Sequence, residues 1–251
     1  LDQQDIVTKK LERYHCVPVF LTPRLYENVW NGYINTTLWT VFHNAVDIYG
    51  RLPSLWWNGN IQEKQWEAYM DMNSKFAGKI VEVFCTGDTV WIQDIGLLIL
   101  PSFLVRRIRQ NIHIGMFVHK PFPSSEIFRT LSVREKLLRG MLNADHIGFH
   151  LYEYARHFLT CCRRILGLTV KDRPGGYILV EYQGRQVVVT VAHASIEPDV
   201  VINRLSMPKT EEYLAIFRNK YNISSNATGS SSNGNSYRKK YIVGIDRIER
   251  M

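Results

Sequence analysis

Two periods of hydrophobic spacing alternate along this chain. Trp66, Tyr69, Asn73, Phe76, Ile80 and Phe84 recur every three to four residues, so the stretch from Glu67 to Phe84 reads as an amphipathic helix with these side chains near one face. Gly87-Asp88 ends the pattern, and Thr89-Val90-Trp91-Ile92 follows as a strand. Leu97 to Arg109 returns to helical spacing, with Pro101 placed where a first turn tolerates it. Ile112 to His119 is the next strand. Ser132-Val133-Arg134-Glu135 has the form of a capping box, serine at the N-cap and glutamate three residues on, and opens a helix through Leu142. Ile147-Gly148-Phe149 is a short strand, and Leu151 to Leu166 the helix after it. Strand and helix in turn predict an α/β fold, a Rossmann-like parallel sheet with flanking helices.

The texture changes after Leu168. Tyr177 to Tyr182 and Gln186 to Val191 flank Gln183-Gly184-Arg185 and predict a β-hairpin. Lys209 to Tyr221 is helical, and residues 222–237 have the Ser, Asn and Gly content of a flexible linker. No internal repeat is visible.

Composition narrows the classes. The 251 residues are 45% hydrophobic, enough for a sizeable core in one or two domains, and carry a net charge of +8 with a pI near 9.3. Such a balance suits phosphorylated ligands, nucleic acid or an anionic membrane surface. Arg106-Arg107-Ile108-Arg109 is too short to argue for nucleic acid and reads as a solvated helix face. The most apolar window, Val90 to Val105, contains Asp94 and Pro101 and is too short to span a bilayer. The four cysteines, at 16, 85, 161 and 162, lack metal-ligand spacing, and Cys161-Cys162 read as packing residues of a reduced, cytoplasmic protein. The N-terminus lacks the order of a signal peptide. In that setting the sequons at Asn35, Asn222 and Asn226 are chance matches. Neither nucleic acid nor membrane is an expected partner.

The chemistry is concentrated in His119-Lys120-Pro121-Phe122-Pro123-Ser124-Ser125. A histidine closes the apolar run Gly115-Met116-Phe117-Val118, two prolines stiffen the turn, and serines stand where a helix begins. The C-terminal ends of strands are where ligands sit in open α/β sheets, and helix N-termini favour anionic groups. The outline is that of a sugar-nucleotide or phosphate site.

The same stretch, continued through Glu126-Ile127-Phe128-Arg129, resembles the H-x-P-F-P-S-S-E-I-F-R-x-L signature of trehalose-6-phosphate synthases. Ala144 to His150, Tyr154 to Phe158, Leu166-Gly167-Leu168, Val17 to Leu21, Leu38-Trp39 and Val243-Gly244-Ile245-Asp246-Arg247 extend the resemblance over nearly the whole chain. Gly175-Gly176-Tyr177 and Glu181 to Arg185 are similar to the eukaryotic type in which a phosphatase domain follows. The resemblance implies a GT-B glycosyltransferase: two Rossmann-like domains that transfer glucose from UDP-glucose to glucose-6-phosphate with retention and without a metal or other cofactor. Residues 1–238 then form the acceptor-side N-terminal domain, and 239–251 the first strand of the donor-side domain. Since the family's opening Gly-rich loop and donor domain lie outside the chain, turnover by this chain alone is not expected. Subunits of a trehalose-synthesising complex, or a second copy of the chain, are the macromolecular partners implied.

Carried over residue by residue, His119 stands at the family's histidine near the transferred sugar, and Asp94 at the aspartate that holds the acceptor. These are the catalytic candidates. Trp39 matches an aromatic lining the acceptor pocket, and Arg247 an arginine that reaches the donor phosphates, where a guanidinium fork suits a diphosphate. Each has a plainer reading: a satisfied strand-end histidine, an N-cap for the next helix, a core aromatic, a surface ion pair. Glu126, Arg129, Tyr154, Arg156 and His157 read as support or surface.

The family's usual W-I-H-D-Y-H is here Trp91-Ile92-Gln93-Asp94-Ile95-Gly96, and Trp30 stands at a second phosphate-binding tyrosine. Two hydroxyl donors to the acceptor's phosphate are thereby absent, each worth about 1.5–3 kcal/mol as a charged hydrogen bond. Lys120 brings a positive charge beside His119, and Ala192 to Pro198 replaces a P-x-G-I-D segment. Three functions remain open on these residues: a glucosyltransferase with an altered acceptor pocket, a degenerate synthase-like regulatory or scaffolding module, and a sugar-phosphate-binding domain without turnover. Trp30 and the block Gln93–Gly96 favour the last two.

Overall fold

The computed structural model describes residues 3–45, 59–108 and 111–221. The chain divides into two compact units, Leu1–His193 and Ala194–Met251. The linker expected over 222–237, the strand expected over 239–251 and Arg247 lie outside the described residues.

The first unit is built on one six-stranded sheet of order β1-β2-β3-β6-β5-β4. Its strands are β1 (Thr89–Gln93), β2 (His113–Val118), β3 (His146–Phe149), β4 (Val170–Arg173), β5 (Tyr177–Tyr182) and β6 (Arg185–Val191). β1, β2, β3 and β6 run parallel, whereas β5 lies antiparallel between β6 and β4. The predicted parallel sheet and hairpin are therefore one sheet, with β6 serving both. Parallel strands are buried on both faces, which is why β2 and β3 read as continuous apolar runs; Met116, Ile147, Phe149 and Val189 are fully buried.

The hairpin turn has two residues, not three. Gln183 and Gly184 both take positive φ, 50° and 75°, and Arg185 already pairs with Tyr182. That backbone is a type I′ turn, whose twist matches the strands it joins.

The helices are α1 (Gln3–Glu12), α2 (Pro23–Tyr26), α3 (Trp39–Phe42), α4 (Gly59–Val83), α5 (Leu100–Arg107), α6 (Ser125–Phe128), α7 (Arg134–Met141) and α8 (Tyr152–Leu166). A π-helical segment, Glu27–Leu38, joins α2 to α3. The helix expected from Leu97 is split: a 3-10 turn, Ile95–Leu97, precedes α5, and Pro101 sits in the first turn of α5 as its missing N–H allows. The predicted capping box does not form. Val133, not Ser132, precedes α7, and no side chain caps it. Leu131 is buried and Val133 packs against the core, and the Arg134 N–H donates to the Leu131 carbonyl at 3.2 Å. Packing of the two flanking apolar residues against the core turns the serine outward, where it is exposed. At the other end of α8, Gly167 takes the left-handed conformation, φ 67°, and the Gly167 and Leu168 N–H groups donate to the carbonyls of Arg163 and Cys162. Cys161 and Cys162 are buried on α8, and burial pushes the Cys161 thiol up to about 12, as fits packing residues.

The second unit contains α9 (Pro198–Leu205) and α10 (Pro208–Tyr221), and no residue of either helix is buried. No described helix is long and apolar enough to cross a membrane.

Candidate functional site

The four parallel strands end on the same edge of the sheet, and each delivers polar groups there. β1 ends at Gln93, followed by Asp94; β2 is followed by His119, β3 by His150, and β6 by Ala192 and His193. The His119 ring is exposed at this edge, not sealed in the interior. Beneath it lies Phe117, whose ring centroid is 4.8 Å from that of His119 and 4.9 Å from that of His150. Gly148 makes room for this platform, because a Cβ there would come within 2.6 Å of the Phe117 ring.

Both nitrogens of His119 have protein partners. Nε2 is 2.7 Å from the Gln93 side-chain carbonyl Oε1, and Nδ1 is 3.1 Å from His150 Nε2. A carbonyl only accepts, so Nε2 carries the proton, and in the neutral ring Nδ1 accepts from His150 Nε2–H. His193 continues the row, its ring centroid 5.9 Å from that of His150. Burial, then the neighbouring His119 and His193, hold His150 below the ordinary imidazole range, against an opposing backbone contact with Ala192. Burial likewise lowers His146, which hydrogen-bonds Thr190 Oγ1 at 2.7 Å.

The sign of the pH effect follows. In the folded chain these rings stay neutral to lower pH, whereas in the unfolded chain they take up protons near about 6.5. The unfolded state then binds more protons as pH falls below that value, so acidification destabilises the fold. The urea midpoint is expected to drop between about pH 7.5 and 5.5, and to drop less in His150→Gln. An equal drop in both proteins would clear His150 of that role.

Asp94 occupies an unusual backbone position, φ 60° and ψ −174°, a region almost reserved for glycine. Its N–H is fixed by the Phe117 carbonyl at 2.8 Å. The loop after it is pinned from α4: the Tyr69 hydroxyl donates to the Ile95 carbonyl at 2.8 Å and accepts from the Leu98 N–H at 3.0 Å, and Asn73 Nδ2 donates to the Tyr69 and Gly96 carbonyls. Tyr69→Phe strips both backbone groups of their partner, and is expected to cost about 1–3 kcal/mol in chemical denaturation. Although Asp94 directly precedes the 3-10 turn, its side chain caps nothing. Oδ1 is buried without a hydrogen-bond partner in the structure, and Oδ2 lies 3.8 Å from Lys120 Nζ.

These groups face a cleft of about 280 Å³ lined by Trp30, Trp39, Gln93, Asp94 and Lys120 together with apolar side chains such as Ile34 and Phe76. Lys120 Nζ stands 4.6 Å over the Trp39 ring, whose other neighbour is His43 at 3.9 Å between centroids. Trp30 is half exposed and stacks on Tyr26. The π-helical turn explains how Trp30 and Trp39 reach one cleft. Nine residues make about two and a half turns of α-helix, which sets side chains on opposite faces, whereas the wider i→i+5 turn needs only about two.

Of the sequence candidates, Trp30, Trp39, Asp94 and Lys120 thus share one cleft, and His119 stands beside it through Gln93. Gln93 as a partner of His119, and His150 and His193 as members of the row, were not legible as site residues. The available signal was positional: both histidines follow an apolar strand by one or two residues, as His119 does. Glu126 is a surface ion-pair partner of Arg164, and His157 Nδ1 bonds the Phe122 carbonyl at 2.8 Å, so both support the elbow. Among the described residues, no group of three or more His, Cys, Asp or Glu is arranged to hold a metal ion.

A carboxylate oxygen without a hydrogen-bond partner, on a residue that lines a cleft with two tryptophans, is suited to hydrogen-bonding a polyhydroxylated ring. The sequence profile of Glycosyltransferase family 20 matches residues 2–229. The chain is 41% identical over 221 residues to alpha,alpha-trehalose-phosphate synthase (UDP-forming) 6 of Arabidopsis thaliana, which covers 88% of this chain and 25% of that protein. The fold superposes on the N-terminal domain of a Candida albicans trehalose-6-phosphate phosphatase with a TM-score of 0.72 and 34% identity, over 88% of this chain and 45% of that one. An E. coli trehalose-6-phosphate protein bound to UDP-2-fluoro glucose gives 0.65 and 25%, over 79% and 42%. The chain therefore spans about a quarter of the length of its curated plant relatives.

Proposed function

The chain belongs to glycosyltransferase family 20, and from that premise we propose that it forms the acceptor-sugar side of a retaining GT-B glucosyltransferase. The reaction is transfer of glucose from UDP-glucose to glucose-6-phosphate, giving trehalose-6-phosphate and UDP. Asp94 carries this reading: its Oδ1 has no hydrogen-bond partner, and the residue lines a cleft with Trp30 and Trp39. In it Asp94 accepts from two acceptor hydroxyls, Trp39 and Trp30 wall the sugar, and Lys120 offers its charge to the acceptor's phosphate. His119 orients the transferred glucose, and Arg247 meets the donor diphosphate. UDP-glucose is substrate, and the reading includes no metal or cofactor.

One observation favours a second reading, a synthase-like module that binds sugar without turning it over. Gln93 and His150 occupy both nitrogens of His119, leaving the ring without a free donor or acceptor for substrate. Calorimetric titration of the whole protein with glucose-6-phosphate and UDP-glucose separates the two. Acceptor-dependent release of UDP is the expected result for the enzyme. Acceptor heat without product assigns the module, and no heat from either ligand overturns both readings.

A further inference from the structure

A second and larger cavity, of about 580 Å³, lies between α4, α5, α7 and the β5–β6 turn. Its floor is aromatic. Trp66 comes from α4, Phe103 from α5 and Tyr182 from the end of β5; Trp66 and Tyr182 are buried beneath it, and the half-buried Phe103 presents the ring surface. Its rim is cationic, with Arg106 on α5 and Lys136 and Arg139 on α7, and among the described residues no carboxylate lines it. The two cation-bearing helices are held together at Gly140, where a Cβ would lie 2.9 Å from the Ile99 Cα and only glycine allows the approach. Arg139 is engaged by Glu135 at 3.6 Å between exposed groups, a weak pair. Neither Arg106 nor Lys136 makes an ion pair with any described residue, and Lys136 Nζ stands 6.0 Å over the Trp66 ring. The volume lies in the range of small-molecule sites.

We propose that this cavity binds a nucleoside phosphate, the flat base on the aromatic floor and the phosphates between Arg106 and the cations of α7. Two features select that class. Guanidinium and ammonium groups on two separate helices suit an extended phosphate chain better than a single carboxylate. An aromatic floor under a cationic rim suits a planar ring tethered to that charge. The site shares no lining residue with the acceptor cleft and does not depend on the reading of that cleft.

The test is calorimetry of the full chain with ADP, with adenosine and pyrophosphate as separate halves. ADP is expected to bind saturably, each half about ten-fold more weakly or worse, and salt to weaken ADP more than adenosine. Arg106→Ala with Lys136→Ala is expected to lower ADP affinity about ten-fold or more, and Lys136→Arg to retain it. Both side chains are exposed, so the circular dichroism and melting temperature of the variants should match the parent. Absence of saturable ADP binding overturns the proposal. So does pyrophosphate binding as tightly as ADP, or ADP binding that survives the double substitution and is lost in Asp94→Ala.

Discussion

Replacing Phe122 by alanine is expected to destabilise the first unit by about 3–5 kcal/mol, the cost of removing a large buried aromatic side chain from a core that cannot close around the gap. Phe122 lies between the two prolines of the elbow and is 1% exposed. Its ring centroid is 5.2–5.9 Å from those of Phe128, Phe158, Phe42 and Phe149, three of them edge-on. Those four rings come from α6, α8, α3 and the end of β3, so one side chain ties the first helices, the sheet edge and the elbow together. A domain's net stability is about 5–15 kcal/mol, and the loss takes a large part of it. Phe122→Leu keeps most of the volume and is expected to cost less than half as much. Urea denaturation of the two variants decides it: similar costs would mean that the cluster collapses onto either side chain. Because His119 and Lys120 immediately precede the elbow, the alanine variant should also loosen the Lys120–Trp39 contact, which tryptophan fluorescence reports.

Five of the six strands of the first unit and helices α4 to α8 were legible because each is decided locally, whereas β4, the first three helices and the π-helical segment were not predicted. Apolar runs at β2 and β3, the positive-φ pair Gln183-Gly184 and the glycine after α8 carry their structural reason in neighbouring residues. The elbow was legible for the same reason, since proline stiffness and the strand-end position of His119 are local facts. What was not legible is decided at a distance. Ser132 has the composition of an N-cap, but packing of Leu131 and Val133 against the core moves the helix start past it. The gathering of Trp30 and Trp39 depends on a π-helical turn, which spacing rules for α-helices place on opposite faces. The Gln93–His119–His150 chain joins residues 26 and 31 positions apart, through a pairing of strand ends that only the sheet order supplies. Local signals thus predicted most of the scaffold and the strand-end position of His119, while the side-chain contacts around it follow from topology.

Asp94→Ala is expected to reduce binding of the acceptor sugar by about 100-fold or more, since two hydrogen bonds to a carboxylate are worth about 1.5–3 kcal/mol each. Its effect on stability is expected to be small, because the contact with Lys120 is 3.8 Å long and solvent-screened, and because a buried oxygen without a partner is removed. Asp94→Gly provides the discriminating comparison. Glycine in a strand-end loop ordinarily costs about 0.5–1 kcal/mol relative to alanine through the freedom of the unfolded chain. At φ 60° and ψ −174°, however, any side chain holds the backbone in strain of about 1–3 kcal/mol, which glycine alone relieves. The usual order should therefore invert, with Asp94→Gly as stable as Asp94→Ala or up to about 2 kcal/mol more so, while both lose sugar equally. Asp94→Asn keeps the shape and one acceptor and should fall between parent and alanine in affinity. Paired calorimetry and urea unfolding of the three variants read both effects. If glycine proved clearly less stable than alanine, the backbone at 94 would not be strained. If the alanine variant bound sugar as the parent does, the carboxylate would not face the acceptor. The combination expected, lost binding without lost stability, is what a side chain kept for a ligand and held against its own backbone preference produces.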